Sequence, residues 1–411
     1  LADETKNLFI KGGRSLVKRR IKNNVYWVGK VDWELQHFHG FEYSTHKGST
    51  YNAYIIDEEK KVLIDTVWSP FAEEFVENLD QEVGLSSIDY IVINHGEVDH
   101  SGALPLLMKH IPDTPIYCSA NAVKSLRGQY HQDWNFQVVK TGDRVSLGNG
   151  KELIFVEMPM LHWPDSMAAY LTQDNILFSN DAFGQHLATD HLFNDQVDQC
   201  DLFNEAIKYY ANILNPFSPM LKKKLEEIAA LNLPIEMIAT SHGVIWRDNP
   251  RQIVEKYAQW ADNYQENQIT IIYDTMWNGT KQLAEKIAAG IREADQEVVI
   301  KVYHLAKSDE ADLITEVFKS KTVVLGSPTI YNSMLHSMAG FIQLLKQLRF
   351  KGKKAAAFGC YGWSGEAVKQ MTELVEKAGF TIISEGLRSQ WNPDEGAEQA
   401  AVGFGKNIAT S

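Results

Sequence analysis

Cysteine is scarce in this chain: its 411 residues hold three, Cys118, Cys200 and Cys360, far apart. Such scatter excludes a disulfide framework and a Cys-x-x-Cys metal or redox site, and it suits a reducing cytoplasm. Long apolar runs are missing too, with none near the ~20 residues that span a bilayer. No Gly-x-Gly-x-x-Gly follows a strand pattern, so a tightly held dinucleotide is not expected. Positive charge is in deficit: the formal net charge is −13, which argues against nucleic acid as a partner. Residues 1–23 are the exception, with seven basic side chains against Asp3 and Glu4, a local +5 that leaves −18 on the remainder. This basic extension lacks the apolar core of a secretory signal and reads as a disordered tail. What remains is ordinary: 44% apolar and 23% charged residues describe a soluble globular protein, too long for one core of at most about 300 residues.

The densest chemistry is Asn94-His95-Gly96-Glu97-Val98-Asp99-His100, directly after the β-branched run Tyr90-Ile91-Val92-Ile93. That run reads as a buried strand whose C-terminal end delivers two imidazoles and two carboxylates. Charged groups at such a place are paired, cap a helix, or coordinate a metal. A cap at Asp99 would account for one carboxylate and neither histidine. Nitrogen and oxygen donors without cysteine disfavour structural zinc and suit iron, manganese or zinc in a reactive site. Three further candidates stand where apolar runs end: His162 after 153–161, Asp181 after 176–180, and His242 after 237–241. His186, in Asp-Ala-Phe-Gly-Gln-His, reads equally as a hydrogen-bond donor beside a metal or as a surface histidine; His191 reads as a surface residue.

His-x-Glu-x-Asp-His resembles the metal signature of the metallo-β-lactamase superfold, in the variant carried by flavodiiron proteins. Hydrolytic members of that superfold have histidine where Glu97 stands. A carboxylate hardens the site and adds negative charge, favouring redox-active iron over zinc. The resemblance implies that His95, Glu97 and His162 bind one iron, and that Asp99, His100 and His242 bind the other. Asp181 would bridge them as a catalytic group, with His186 beside it.

The second half of the chain points to another ligand. Ile269-Thr270-Ile271-Ile272-Tyr273 is a strand pattern, and a helical pattern from Lys281 to Glu293 puts Leu283, Ile287 and Ile291 on one face. Between them Thr275, Met276, Trp277, Asn278, Gly279 and Thr280 form a loop whose N–H groups and hydroxyls suit a phosphate, although a plain N-cap explains such a loop as well. A second loop, with Ser327, Pro328, Thr329, Tyr331 and Asn332, and a third, with Tyr361, Gly362, Trp363, Ser364 and Gly365, also follow strands, where open α/β sheets bind ligands. This loop order is similar to that of a flavodoxin. FMN is then the implied cofactor, its phosphate in the first loop and its ring flanked by the other two, with Trp363 and Tyr361 as ring neighbours.

The expected fold is α/β: an N-terminal αββα metallo-β-lactamase-like sandwich (24–266) that begins with strands near 25–28 and 51–56, followed by a flavodoxin-like five-stranded, doubly wound parallel sheet (267–411). The boundary is placed at the polar stretch 264–268. By electron counting, two ferrous ions and reduced FMN together hold the four electrons that turn dioxygen into two waters. Reduction of two nitric oxide molecules to nitrous oxide needs two. Oxygen is the preferred substrate here, because no rubredoxin-like segment is found in these 411 residues; electrons are then expected from an external donor such as a rubredoxin-like protein or a flavin reductase. The resemblance further implies a head-to-tail homodimer, possibly a dimer of dimers, with FMN of one subunit near the iron of the other. Two other readings compete: a zinc hydrolase with a passenger flavodoxin, which Glu97 opposes, and an electron carrier with a vestigial metal site, which the full donor set opposes.

Overall fold

The computed structural model describes residues 18–411. Two compact units share the chain: one holds residues up to 31, 50–157 and 165–180, the other 32–49, 158–164 and 181–411. Among the described residues, no helix is long and apolar enough to cross a membrane.

The first unit contains a seven-stranded sheet in the order Arg19–Lys22, Val25–Trp27, Tyr54–Asp57, Lys61–Ile64, Tyr90–Val92, Ile116–Cys118, Phe136–Val138. The first four strands pair antiparallel and the rest join in parallel. Four more strands, Arg144–Gly148, Lys151–Glu157, Met167–Leu171 and Ile176–Asn180, form an antiparallel meander. Every residue of the last two is buried, as expected of strands covered on both faces. Helix Ala72–Glu82 buries Ala72, Phe75, Val76 and Leu79, a stripe at helical spacing.

Two expectations change here. Residues 1–17 of the basic extension lie outside the described residues, but its remainder is ordered rather than a disordered tail. Arg19–Lys22 pairs with Val25–Trp27, and Lys22 Nζ donates to the Asp174 carbonyl at 2.7 Å. The strand expected at 51–56 is also broken, into Ser49–Tyr51 and Tyr54–Asp57. At the break, Asn52 turns its side chain inward to accept from Trp27 Nε1 at 2.8 Å.

In the second unit the parallel sheet runs Val299–His304, Glu266–Tyr273, Ser320–Gly326, Lys354–Tyr361. Its fifth position is shared by Thr381–Ile382 and Leu387–Gln390, both paired to Lys354–Tyr361. Strand order 2-1-3-4-5 is that of a flavodoxin-like doubly wound sheet, with a switch point at the C-terminal end of Glu266–Tyr273. Helix Gly279–Ala294 buries Leu283, Ile287 and Ile291 completely. It lies against helix Glu395–Thr410 at a distance that only glycine permits. A Cβ on Gly290 would come within 2.0 Å of the Val402 carbonyl oxygen, and one on Gly405 within 2.2 Å of that of Ile287.

Candidate active site

In the first unit the cluster begins where Tyr90–Val92 ends. Asp65 receives the Asn94 backbone N–H at 2.8 Å and its side-chain amide at 3.1 Å, which fixes the entry to the loop. Burial pushes the Asp65 carboxyl up to about 6, against the pull of His100 and of the Asn94 hydrogen bonds. Asp165 holds the next two residues: one oxygen lies 2.9 Å from His95 Nδ1, and the other accepts the Gly96 N–H at 3.1 Å. A Cβ at position 96 would sit 2.7 Å from that carboxylate, so the approach requires glycine. Burial raises the Asp165 carboxyl, but hydrogen bonds from His95, Ser125 and Gly96 outweigh it and hold the group below its ordinary value. An ionised Asp165 takes the Nδ1 proton of His95 as its hydrogen bond and leaves Nε2 as the lone-pair nitrogen. That nitrogen faces Glu97 Oε2 at 3.1 Å.

Asp99 and His100 fall in the short helix Val98–Ser101, with Asp99 Oδ2 at 3.3 Å from His100 Nε2. Asp99 is not a helix cap: the helix begins at Val98, with Glu97 in the capping position and no side-chain cap bond. All four candidate donors of this loop are buried.

In the second unit Asp181 is flanked by two imidazoles. One carboxylate oxygen lies 3.5 Å from His162 Nε2 and the other 3.4 Å from His242 Nε2, longer than strong charge-assisted hydrogen bonds. A carboxylate that offers one oxygen to each of two ring nitrogens has the form of a bridging ligand. His186 is fully buried, with Nδ1 at 2.6 Å from Ser49 Oγ and its ring 5.0 Å from that of His242. Burial, reinforced by His242 and His39, keeps this imidazole well below its ordinary pKa, so it is neutral. His191 is exposed.

Sequence reading missed two residues here. Asp165 has no motif of its own, and its only signal is its place three residues after His162. His39, in the polar run His37-Phe38-His39-Gly40, brings its ring to 5.8 Å from that of His162.

The three loops of the parallel sheet enclose a cleft of about 450 Å³. Thr275, Met276, Trp277, Gly279 and Thr280 line it from the first loop, Pro328, Thr329, Tyr331 and Asn332 from the second, and Tyr361, Gly362, Trp363 and Ser364 from the third. Three expected contacts do not line it. Ser327 points back into the protein, where its hydroxyl accepts the Leu335 N–H at 2.9 Å. Asn278 and Gly365 instead precede helices Gly279–Ala294 and Glu366–Lys377, Asn278 with φ 68°. Four lining residues were not anticipated: Ile330, Cys360, Trp391 and Asn392. Trp391 follows the second piece of the divided fifth strand, a break no periodicity announces. The Thr275 hydroxyl is buried and has no hydrogen-bond partner among the described residues, as a donor reserved for a bound anion would be.

A family model described as ODP family beta lactamase matches residues 49–243, and a flavodoxin model matches 271–405. An anaerobic nitric oxide reductase flavorubredoxin of Klebsiella pneumoniae is 56% identical over 390 residues, 95% of this chain and 81% of that protein. The flavodiiron protein of Giardia intestinalis superposes with a TM-score of 0.91 at 31% identity, over 98% of this chain and 97% of that one. The chain belongs to the flavodiiron protein family. Another flavodiiron-like structure, rubredoxin oxygen:oxidoreductase from Desulfovibrio gigas, gives a TM-score of 0.92 at 34% identity, over 96% of this chain and 98% of that one. Its cofactors as a flavodiiron protein are FMN and a non-haem di-iron centre, and the residues present fit both. The donors are imidazole and carboxylate throughout, the set that suits iron rather than a thiolate metal. The cleft joins buried hydroxyls at a helix N-terminus to a wall of aromatic side chains, as a phosphate and a flavin ring require.

Proposed function

We propose that this flavodiiron protein reduces nitric oxide, two molecules to nitrous oxide and water, at iron ions held by His95, Glu97, Asp99, His100, His162, Asp181 and His242. The observation that carries a redox site is Asp181, which presents one oxygen to each of two histidines in a donor set with three carboxylates. Iron and flavin supply the electrons, two from a ferrous pair and two from reduced FMN. The chain's residues do the rest. Asp165 keeps His95 in the tautomer that exposes Nε2. Asp181 holds His162 and His242 apart, and Phe38 and His186, both in ring contact with their neighbours, exclude water beside His242. At the flavin, Thr275 and Thr280 receive the phosphate, while Tyr361 and Trp363 flank the ring.

Nitric oxide is placed ahead of oxygen because relatives that share 55–56% of residues over most of the chain carry that activity in their names. Oxygen is the second reading, favoured by the similarity to the Desulfovibrio gigas protein. Anaerobic stopped-flow of the fully reduced protein against each gas tests the order. Faster reoxidation by nitric oxide with nitrous oxide formed supports it, and a tenfold advantage for oxygen overturns it.

In the same proposal the metal-binding domain spans 24–266 and the FMN domain 267–411, a division in line with the two matched segments. Electrons come from an external donor such as a rubredoxin-like protein. The working form is a head-to-tail homodimer in the cytoplasm. Light scattering that found full turnover in a monomer would remove the dimer from this account.

A further inference from the structure

A metal loop binds best when its donors already stand in place, because ordering it at the moment of binding costs affinity. In the first unit the loop 94–101 is held through its backbone. Asp65 receives the Asn94 N–H, and the Asn94 carbonyl accepts the Met167 N–H at 2.9 Å. Gly96, which separates His95 from Glu97, is fixed on both sides. Its N–H goes to Asp165 at 3.1 Å, and its carbonyl faces Gln129 Nε2 at 2.5 Å and Ser101 Oγ at 3.1 Å. Ser101 Oγ also lies 2.8 Å from the Glu97 carbonyl. The Ser101 hydroxyl has one proton and meets two carbonyls that can only accept, so Tyr130, whose hydroxyl lies 2.8 Å from Ser101 Oγ, is the donor in that contact.

One helix, Ala120–Tyr130, stands behind the Gly96 contacts. Ser119 caps it by accepting the Ala122 N–H at 3.1 Å, and donates its own proton to the Asp165 carbonyl at 2.8 Å. Ala122, Ser125, Leu126 and Gln129 form a stripe at helical spacing. Ala122 and Leu126 are completely buried, which keeps this face from turning away. Ser125 bonds the Asp165 carboxylate, and Gln129 reaches Gly96 one turn later. The helix approaches so closely that a Cβ at position 96 would lie 2.7 Å from Ser125 Cβ as well as from Asp165. His100 hangs on a different support: its carbonyl accepts the Thr66 N–H at 2.7 Å and the Thr66 hydroxyl at 2.8 Å. Thr66 comes from the segment after strand Lys61–Ile64.

The structure assigns Gln129 and Tyr130 as positioning residues for the His95–Glu97 half of the loop, and Thr66 as the positioning residue for His100. Neither Gln129 nor Tyr130 touches a donor side chain. Each acts through the peptide groups that aim those side chains: Gln129 through the Gly96 carbonyl, Tyr130 through Ser101. In the proposed metal set His95 and Glu97 serve one iron, Asp99 and His100 the other. The two irons therefore rest on separate supports, and each can be loosened by itself.

This inference rests on the proposed metal set, and its test keeps the two apart. Anaerobic titration of the metal-free protein with ferrous ion, followed by iron-edge anomalous diffraction of partly loaded crystals, reads the occupancy of each site. Gln129→Met should weaken the His95–Glu97 site about tenfold, the lower end of what outer partners of metal ligands contribute, and leave the Asp99–His100 site within about twofold. Gln129→Glu keeps the length without the N–H donor and should lose at least as much. Tyr130→Phe should act on the same site more weakly, and Thr66→Val should reverse the pattern. FMN content should stay unchanged throughout, and its parallel loss would mean a general loosening and overturn the assignment. Equal losses at both sites overturn it too, as does a Gln129→Met protein that matches wild type at both. A wild-type protein that takes up no iron overturns the proposed function instead. Amide hydrogen exchange of the metal-free proteins then decides: exchange across 95–101 at least tenfold faster in Gln129→Met supports the positioning role, and equal rates overturn it.

Discussion

The His95–His100 loop and the flavin cleft are both built at strand C-termini, yet they solve opposite problems. The loop buries four ionisable side chains and anchors them through two more buried carboxylates, Asp65 and Asp165. The cleft is lined largely by backbone, small hydroxyls and aromatic side chains, of which Trp277, Tyr331, Trp363 and Trp391 are among the most exposed large hydrophobic residues of the chain. A buried charge is costly unless every partner is in place, so the first region is unforgiving. An open cleft spreads its binding over many weak contacts, so the second is tolerant.

That contrast predicts a graded series. Asp181→Ala should cost the most, with most of the iron and at least 100-fold of turnover lost while FMN stays bound; metal analysis beside flavin absorbance checks it, and a variant with full iron would break the contrast. Asp165→Ala should follow, with metal affinity reduced about 10- to 100-fold as expected for a partner that orients a ligating histidine. Asp165→Asn should recover little, because its amide cannot both accept from His95 Nδ1 and take the Gly96 N–H as a carboxylate does. In the cleft, Thr275→Val should weaken FMN about tenfold, since one hydrogen bond to a charged group contributes about 1.5–3 kcal/mol, and leave iron untouched. Fluorescence titration of the apo-flavin protein measures this, and a loss as large as that of Asp165→Ala for metal would put the two regions on an equal footing.

The smallest effect is predicted away from both sites, at Lys353. This buried amine donates to the Tyr264 carbonyl at 2.5 Å and to that of Phe318, and burial pulls it down to about 7, against the pull of Glu266. Between pH 7 and 10.5 the unfolded chain then binds one proton more than the folded chain, so stability rises with pH across that window by at most about 1.4 kcal/mol per unit. Lys353→Met should flatten this dependence. Urea midpoints at pH 7 and pH 9 for the two proteins give the comparison, and parallel slopes would refute it.

Legibility in the sequence followed the same division. The seven proposed iron donors stand out in the sequence because imidazole and carboxylate crowded at the end of an apolar run have few other uses, and the structure buries all seven or nearly so. Helix Gly279–Ala294 with its buried Leu283, Ile287 and Ile291 was readable from periodicity alone. Ser327, Asn278 and Gly365 fall outside the lining of the cleft, which loop position alone does not reveal. Trp391 and Asn392 were missed because the strand just before them, Leu387–Gln390, is one piece of a divided one. Asp165 and His39 carry no motif.

The sequence by itself determined the chemistry: which donors exist, that they are hard and carboxylate-rich, and that a flavodoxin-like module accompanies them. Those properties are local, written in residue type and short spacing. Tertiary structure alone decided which carboxylate orients His95, which imidazoles share Asp181, and which hydroxyl meets His186. Each of these is a contact between residues 19 to 137 positions apart, and only the folded chain brings them together.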